Sequence, residues 1–257
     1  MLAGLVPAAG RGKRLAPLPM PKELFPIGYQ DYTIDGRVYK RPKVVSQYLI
    51  EHLVTAGAQK IIIVLGPEKH DIMHYFGSGS RFGVEIAYVY QEQPHGMPFG
   101  LDLAWSWLRD GDDVLFGMPD TIIEPADAFQ SLHQARLATE ADLMLGLFAT
   151  DTPSKFGMVV LDGEQRVVET IDKPAETTLR YMWGNAAWNM TFGRFMHDYL
   201  IAHASWGCAA RESVFGDVLN AAIRGGLSVR AHIFEGGRYI DIGTVEELDT
   251  ALQLFHL

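Results

Sequence analysis

Four short apolar runs, residues 2–7, 60–65, 113–118 and 142–149, alternate with stretches whose apolar residues recur at helical spacing. A strand with no polar side must be covered on both faces. The alternation therefore predicts an α/β fold, a Rossmann-like, mostly parallel mixed sheet flanked by helices. At 257 residues the chain suits one domain with elaborations, and 48% hydrophobic with 21% charged residues leaves no compositional case for disorder. We expect a single domain over 1–257, with the strand–helix rhythm of about 1–150 changing over about 151–257.

The first apolar run leads into Pro7-Ala8-Ala9-Gly10-Arg11-Gly12-Lys13-Arg14-Leu15-Ala16-Pro17, with Pro21-Lys22-Glu23-Leu24-Phe25-Pro26-Ile27 close behind. Small residues let the main chain turn tightly and bring its N–H groups against a ligand, while Arg11, Lys13, Arg14 and Lys22 concentrate cations. Glycine turns after a first strand are common without phosphate, so the loop alone decides little. No Gly-Lys-Ser/Thr closes it as in a Walker loop, and Leu15 occupies the place of the third dinucleotide-fingerprint glycine. The strand at 61–65 also lacks the terminal acidic residue of a dehydrogenase.

Residues 28–40 carry Asp35-Gly36 between two aromatic stretches, a turn-rich excursion or hairpin. A helix is predicted from Arg41-Pro42 to Gly57, another over 68–76, a strand over 84–90, and a helix over 99–108. His70 and His74, one turn apart, fit a metal pair in spacing but more commonly form a solvated helix face. Asp120 follows the strand at 113–118, at the carboxyl edge where ligands of open sheets bind; the competing role is a turn or helix-cap aspartate. A hairpin over 156–171 ends in Asp172-Lys173-Pro174. A strand is expected over 181–192, helices over 193–203 and 212–224, a strand over 227–235, and a last helix opening at Glu246-Glu247.

The order Gly10-x-Gly12-x-Arg14-Leu15-x-Pro17, Pro21-Lys22, Leu24-x-Pro26-Ile27 resembles the signature of the sugar-1-phosphate nucleotidylyltransferases, the NDP-sugar pyrophosphorylases. Gln91, Pro94 and Gly96 match that family's base-reading loop. Phe156-Gly157 with Asp172-Lys173-Pro174 resembles its sugar region, and Tyr239-Ile240-Asp241-Ile242-Gly243-Thr244 its second metal motif. Lys13 stands where the family usually has Thr, Asp172 where it has Glu, and Arg14 and Lys22 are closer in sequence than usual.

The resemblance implies Arg14, Lys22 and Lys173 as catalytic cations, and Ala9, Gly10, Gly12, Lys13, Gln91 and Gly96 as nucleotide-binding residues. Gly157, Asp172 and Asn185 would contact the sugar, and Asp120 and Asp241 would hold Mg²⁺. The implied reaction joins a nucleoside triphosphate, dTTP or UTP favoured, to a sugar-1-phosphate with loss of pyrophosphate. A catalytically weak regulatory protein of the same fold is the alternative. Glu212-x-x-x-x-Asp217-Val218 resembles a family helix behind the sugar site.

The net charge of −9 argues against nucleic-acid binding, and no apolar run reaches a membrane span. A lone Cys208 excludes an intrachain disulfide and is read as a structural thiol. These features fit a cytoplasmic protein and leave homo-oligomer formation open.

Overall fold

The computed structural model describes residues 1–93, 95–203 and 214–255, so Pro94, Cys208 and Glu212, named above, lie outside the described residues. The opening apolar run forms β1 (Leu2–Ala8), with Ala3, Leu5, Val6 and Ala8 all buried. Next come β2 (Pro26–Ile34), β3 (Arg37–Val44), α1 (Val45–Thr55), β4 (Lys60–Leu65), α2 (His70–Phe76), β5 (Glu85–Tyr90) and α3 (Met97–Asp102). β6 (Asp113–Gly117), β7 (Thr121–Glu124), α4 (Ala128–Thr139) and β8 (Leu143–Ala149) follow. The remainder supplies β9 (Gly157–Leu161), β10 (Val167–Asp172), β11 (Tyr181–Asn189) and α5 (Met190–His203). It closes with α6 (Phe215–Arg224), β12 (Val229–Ile233), β13 (Arg238–Asp241) and α7 (Val245–Leu254).

The central sheet has nine strands and runs β5-β4-β1-β6-β11-β8-β12, with the β9–β10 hairpin joined at the start of β11. β5, β4, β1 and β6 are mutually parallel, as are β8 and β12; β11 runs against its neighbours β6 and β8. One face packs on α1, α2 and α4 through Leu49, Leu53, Phe76, Phe129 and Leu132. The other packs on α3, α5 and α6 through Leu101, Phe192, Met196, Phe215 and Leu219. The two burials follow from strands apolar throughout, since neither face of β4 or β8 tolerates water. β1, β4, β5 and β6 all end at one edge of the sheet, and their following loops meet there. Among the described residues no helix is long and apolar enough to cross a membrane.

A small two-stranded ladder, β7 with β13, stands beside that edge, and Ile122, Ile240 and Ile242 tie it to Ile27, Val45 and Ala251 in a separate apolar cluster. β2 and β3 form a second ribbon, turned by Asp35 and Gly36 at φ 49° and 75°, the left-handed pair that a two-residue hairpin turn requires.

Several expected boundaries move. The helix predicted from Arg41-Pro42 begins at Val45, because Pro42 pairs with Tyr29 in the ribbon and the chain stays extended through Val44. The helix expected over 68–76 starts at His70, since Glu68 is left-handed (φ 66°) and Lys69 turns inward to an ion pair. The helix expected over 99–108 stops at Asp102 and a 3-10 turn takes over at Trp105–Trp107, where Ala104 is buried and Trp105 stacks on His197 at 4.7 Å. The strand expected to Phe192 ends at Asn189, whose Oδ1 accepts the backbone N–H groups of Thr191 and Phe192 and so starts α5.

Candidate active site

Lys22 opens a 3-10 turn, Lys22–Leu24, held down on two sides. Ser46 of α1 donates its hydroxyl to the carbonyl oxygen of Glu23 at 2.6 Å, and the buried Glu23 carboxylate pairs with the buried Lys69 ammonium at 2.6 Å. A buried carboxylate and ammonium cost several kcal/mol each unless paired, so the contact pins the turn to the loop after β4. Burial raises the Glu23 carboxyl above its ordinary range, and Lys69 opposes that rise.

From this platform the Lys22 ammonium reaches the Asp120 carboxylate. Burial works against the charge on Lys22, but the facing carboxylate outweighs it and raises its affinity for the proton. Asp120 sits between β6 and β7 and is buried; it caps no helix, since α4 starts behind Asp127. The β7–β13 ladder aligns Asp241 with Thr121, and the Ile242 N–H donates to the Asp120 carbonyl oxygen at 3.1 Å. Two carboxylates from distant parts of the chain thus become neighbours. Burial first, then the charges of Asp120 and Glu247, push the Asp241 carboxyl up to about 7, while Lys22 and Arg14 pull it back.

Gly243 completes the corner. Its N–H donates to Asp241 Oδ1 at 2.9 Å, and a Cβ there would lie 3.1 Å from both Arg14 Nη2 and Asp241 Oδ2. A side chain there would push on both the guanidinium and the carboxylate.

Two clefts meet at these groups. The larger, 820 Å³, is lined by Gly10, Arg11, Gly12, Lys13, Arg14 and Lys22 together with Gln93, His95 and Gly243. Cations beside a small-residue backbone are the parts from which anion sites are built. The smaller, 170 Å³, shares Gly10 and Lys22 with the first and is lined by Ala9, Gln91, Gly96, Gly100, Met118 and Asp120, among others. Gln91 is buried there, pressed on Gly100, where a Cβ would lie 3.3 Å from its Oε1. A flat polar-edged group in the small cleft and a polyanion in the large one would share one molecule's length.

The structure brings Ala9, Gly10, Gly12, Lys13, Arg14, Lys22, Gln91, Gly96, Asp120 and Asp241 to this junction. Gly157, Asp172 and Lys173 line neither cleft; they form their own group at the β9–β10 hairpin, where Asp172 pairs with Gly157 and the Lys173 N–H donates to the Phe156 carbonyl at 3.0 Å. Asp172 and Lys173 are exposed. The Phe156 ring meets Tyr239 edge-on at 5.9 Å, which links the hairpin to the strand carrying Asp241. Asn185 is fully buried in β11 opposite Gly117 and Gly146, and neither end of its amide has a hydrogen-bond partner among the described residues. His70 and His74 are exposed on α2.

Sequence reasoning missed the Glu23–Lys69 pair. A charge two places before Phe25 in an otherwise apolar stretch was the available signal, but its partner is set by the tertiary fold. Trp183, whose indole Nε1 lies against Gly157, was also missed.

Residues 3–256 match the family model described as nucleotidyl transferase. A low-salt glycan biosynthesis nucleotidyltransferase of Haloferax volcanii is 26% identical over 98% of this chain, which spans 66% of that protein's length. A glucose-1-phosphate thymidylyltransferase of Neisseria gonorrhoeae is 26% identical over 97% of the chain and 81% of its own length. A UTP–glucose-1-phosphate uridylyltransferase of Haloferax volcanii is 25% identical over 98% and 96%. A Bacillus anthracis crystal structure named for glucose-1-phosphate thymidylyltransferase, holding a sucrose, superposes with a TM-score of 0.82 at 21% identity, covering 99% of this chain and 95% of that one. That last likeness establishes the same mixed-sheet fold.

Proposed function

The chain belongs to the nucleotidyl transferase family, in its sugar-1-phosphate branch, and from that premise we propose that it makes an NDP-sugar and pyrophosphate from a sugar-1-phosphate and dTTP or UTP. One observation carries the reading: Lys22, Asp120 and Asp241 meet where the cation-lined cleft opens into the Gln91 cleft. The triphosphate lies along the loop, its oxygens on the backbone of Gly10 and Gly12 and on Lys13, Arg14 and Lys22. The base enters beside Ala9, Gln91 and Gly96.

Asp120 and Asp241 fit a hard divalent cation. They offer oxygen donors only, and burial and the neighbouring carboxylates leave the Asp241 charge in an unfavourable setting that a cation relieves. Bound there, Mg²⁺ would neutralise phosphate charge and polarise the α-phosphate. The chain's own groups do the remainder. A sugar-phosphate oxygen forms a bond to the α-phosphorus as the bond to pyrophosphate breaks; the phosphate is already ionised, so no general base is needed. Arg14 and Lys22 compensate the charge on the leaving pyrophosphate. Lys173 takes the sugar phosphate, and Gly157, Asp172 and Asn185 the sugar hydroxyls. The division into a nucleotide part (1–150) and a sugar part (151–257) follows from these roles, in a protein of the cytoplasm.

A pyrophosphate-release screen of five triphosphates against a panel of sugar-1-phosphates with Mg²⁺ tests the reading. Release with dTTP or UTP and one sugar phosphate supports it. Product binding without release under every pairing would leave a regulatory protein instead.

A further inference from the structure

The β2–β3 ribbon belongs to neither the central sheet nor the site. From Tyr29 to Pro42 every residue except Gln30 is exposed, including Val38 at 65% and Tyr29 at 54%. A lone two-stranded ribbon is marginal in water, and one with unpaired edges and exposed aromatics is a surface awaiting a cover.

Its two faces differ. Residues directly opposite share a face, so Tyr32 with Tyr39, Ile34 with Arg37, and Gln30 with Arg41 lie together, and the Arg41 guanidinium stands 5.2 Å from the Tyr39 ring centre. That face holds tyrosines, an isoleucine and two arginines, and no carboxylate. The Asp31–Lys40 pair sits on the opposite face and is self-neutralised. Tyrosine and arginine are the residues that dominate protein interfaces.

The complementary surface is α7. Its solvent side carries Glu246, Asp249, Thr250, Gln253 and the exposed Leu254, an acidic and partly apolar stripe at helical spacing. α7 sits at the foot of the ribbon: the Phe255 ring packs 5.5 Å from that of Tyr48, whose hydroxyl donates to the Ile27 carbonyl. With a cationic face and an acidic helix side by side on one molecule, a twofold axis brings each onto the other in a second copy, making two identical contacts.

We propose that the β2–β3 hairpin is a dimerisation arm that lies across α7 of a second copy of this chain, Arg37 and Arg41 facing Glu246 and Asp249. The proposal is independent of the substrates.

Sedimentation velocity on the full chain tests it. The wild type is expected to sediment as a dimer, and Arg37→Glu with Arg41→Glu, or Glu246→Lys with Asp249→Lys, as a monomer that keeps the wild-type circular dichroism spectrum. An equimolar mixture of the two double variants is expected to re-form a dimer, because each interface then regains opposite charges. Tyr32→Ser with Tyr39→Ser removes the apolar contact without altering charge and is expected to dissociate the dimer as well. A monomeric wild type, which would leave the arm to some other acidic protein, overturns the proposal. So does a dimer indifferent to the arginine reversal, or a mixture that stays monomeric.

Discussion

Ile242 donates its backbone N–H to the carbonyl oxygen of Asp120 at 3.1 Å, and that bond makes neighbours of two aspartates that the sequence holds far apart. Everything proposed for the reaction depends on this junction of β7 and β13, with Lys22 leaning on the first carboxylate and Arg14 near the second.

Asp120→Asn keeps the side chain's shape and removes its charge. Turnover in the pyrophosphate-release assay is expected to fall by roughly 100-fold or more, the size of effect seen when one electrostatic group is taken from a reacting centre. Lys22 loses its facing charge, so the melting temperature is expected to fall, and circular dichroism checks that the variant is folded. Normal turnover in a folded variant would remove Asp120 from the chemistry.

The raised Asp241 carboxyl gives stability a pH dependence of known sign. Its value in the fold is about 7 against an ordinary 3.8, so between those pH values the folded chain holds a proton that the unfolded chain has released. The group's contribution is most favourable below about pH 4 and is lost as the pH rises to about 7, flat thereafter. In the presence of a chelator, Asp241→Asn is expected to melt higher than wild type by a margin that widens across this window, by at most about 1.4 kcal/mol for each step of one in pH. A margin constant with pH would contradict the burial of the charge.

Glu23→Ala leaves the Lys69 ammonium buried without its partner. A loss of about 3–5 kcal/mol is expected in denaturant unfolding. Glu23→Ala with Lys69→Met should recover much of it, because the unpaired charge is gone. If the single variant is as stable as wild type, the pair does not anchor the Lys22 turn.

Gly100→Ala places a methyl 3.3 Å from the Gln91 amide, in the floor of the small cleft. The KM for the triphosphate is expected to rise several-fold while the KM for the sugar phosphate stays within about twofold, read from initial rates; such contacts cost about 1–3 kcal/mol. Equal changes in both would place the base elsewhere.

Local pattern determined much of this protein. Runs of four to eight apolar residues specify strands buried on both faces, Asp35-Gly36 specifies a tight hairpin turn, and glycines among cations after β1 specify a turning, cation-bearing loop; each depends on neighbours in sequence. Boundaries governed by distant partners were less legible. Pro42 reads as a helix opening until Tyr29 is seen to pair with it, and Asn189 reads as strand until its side chain caps α5. The tertiary structure alone decided the rest. Strand register chose which aspartate stands beside Asp120, and inward rotation chose Lys69 as the partner of Glu23. It also left Arg37 and Arg41 facing outward beside an acidic helix. These are contacts between residues remote along the chain, and a one-residue slip in register would break them while leaving every local pattern intact.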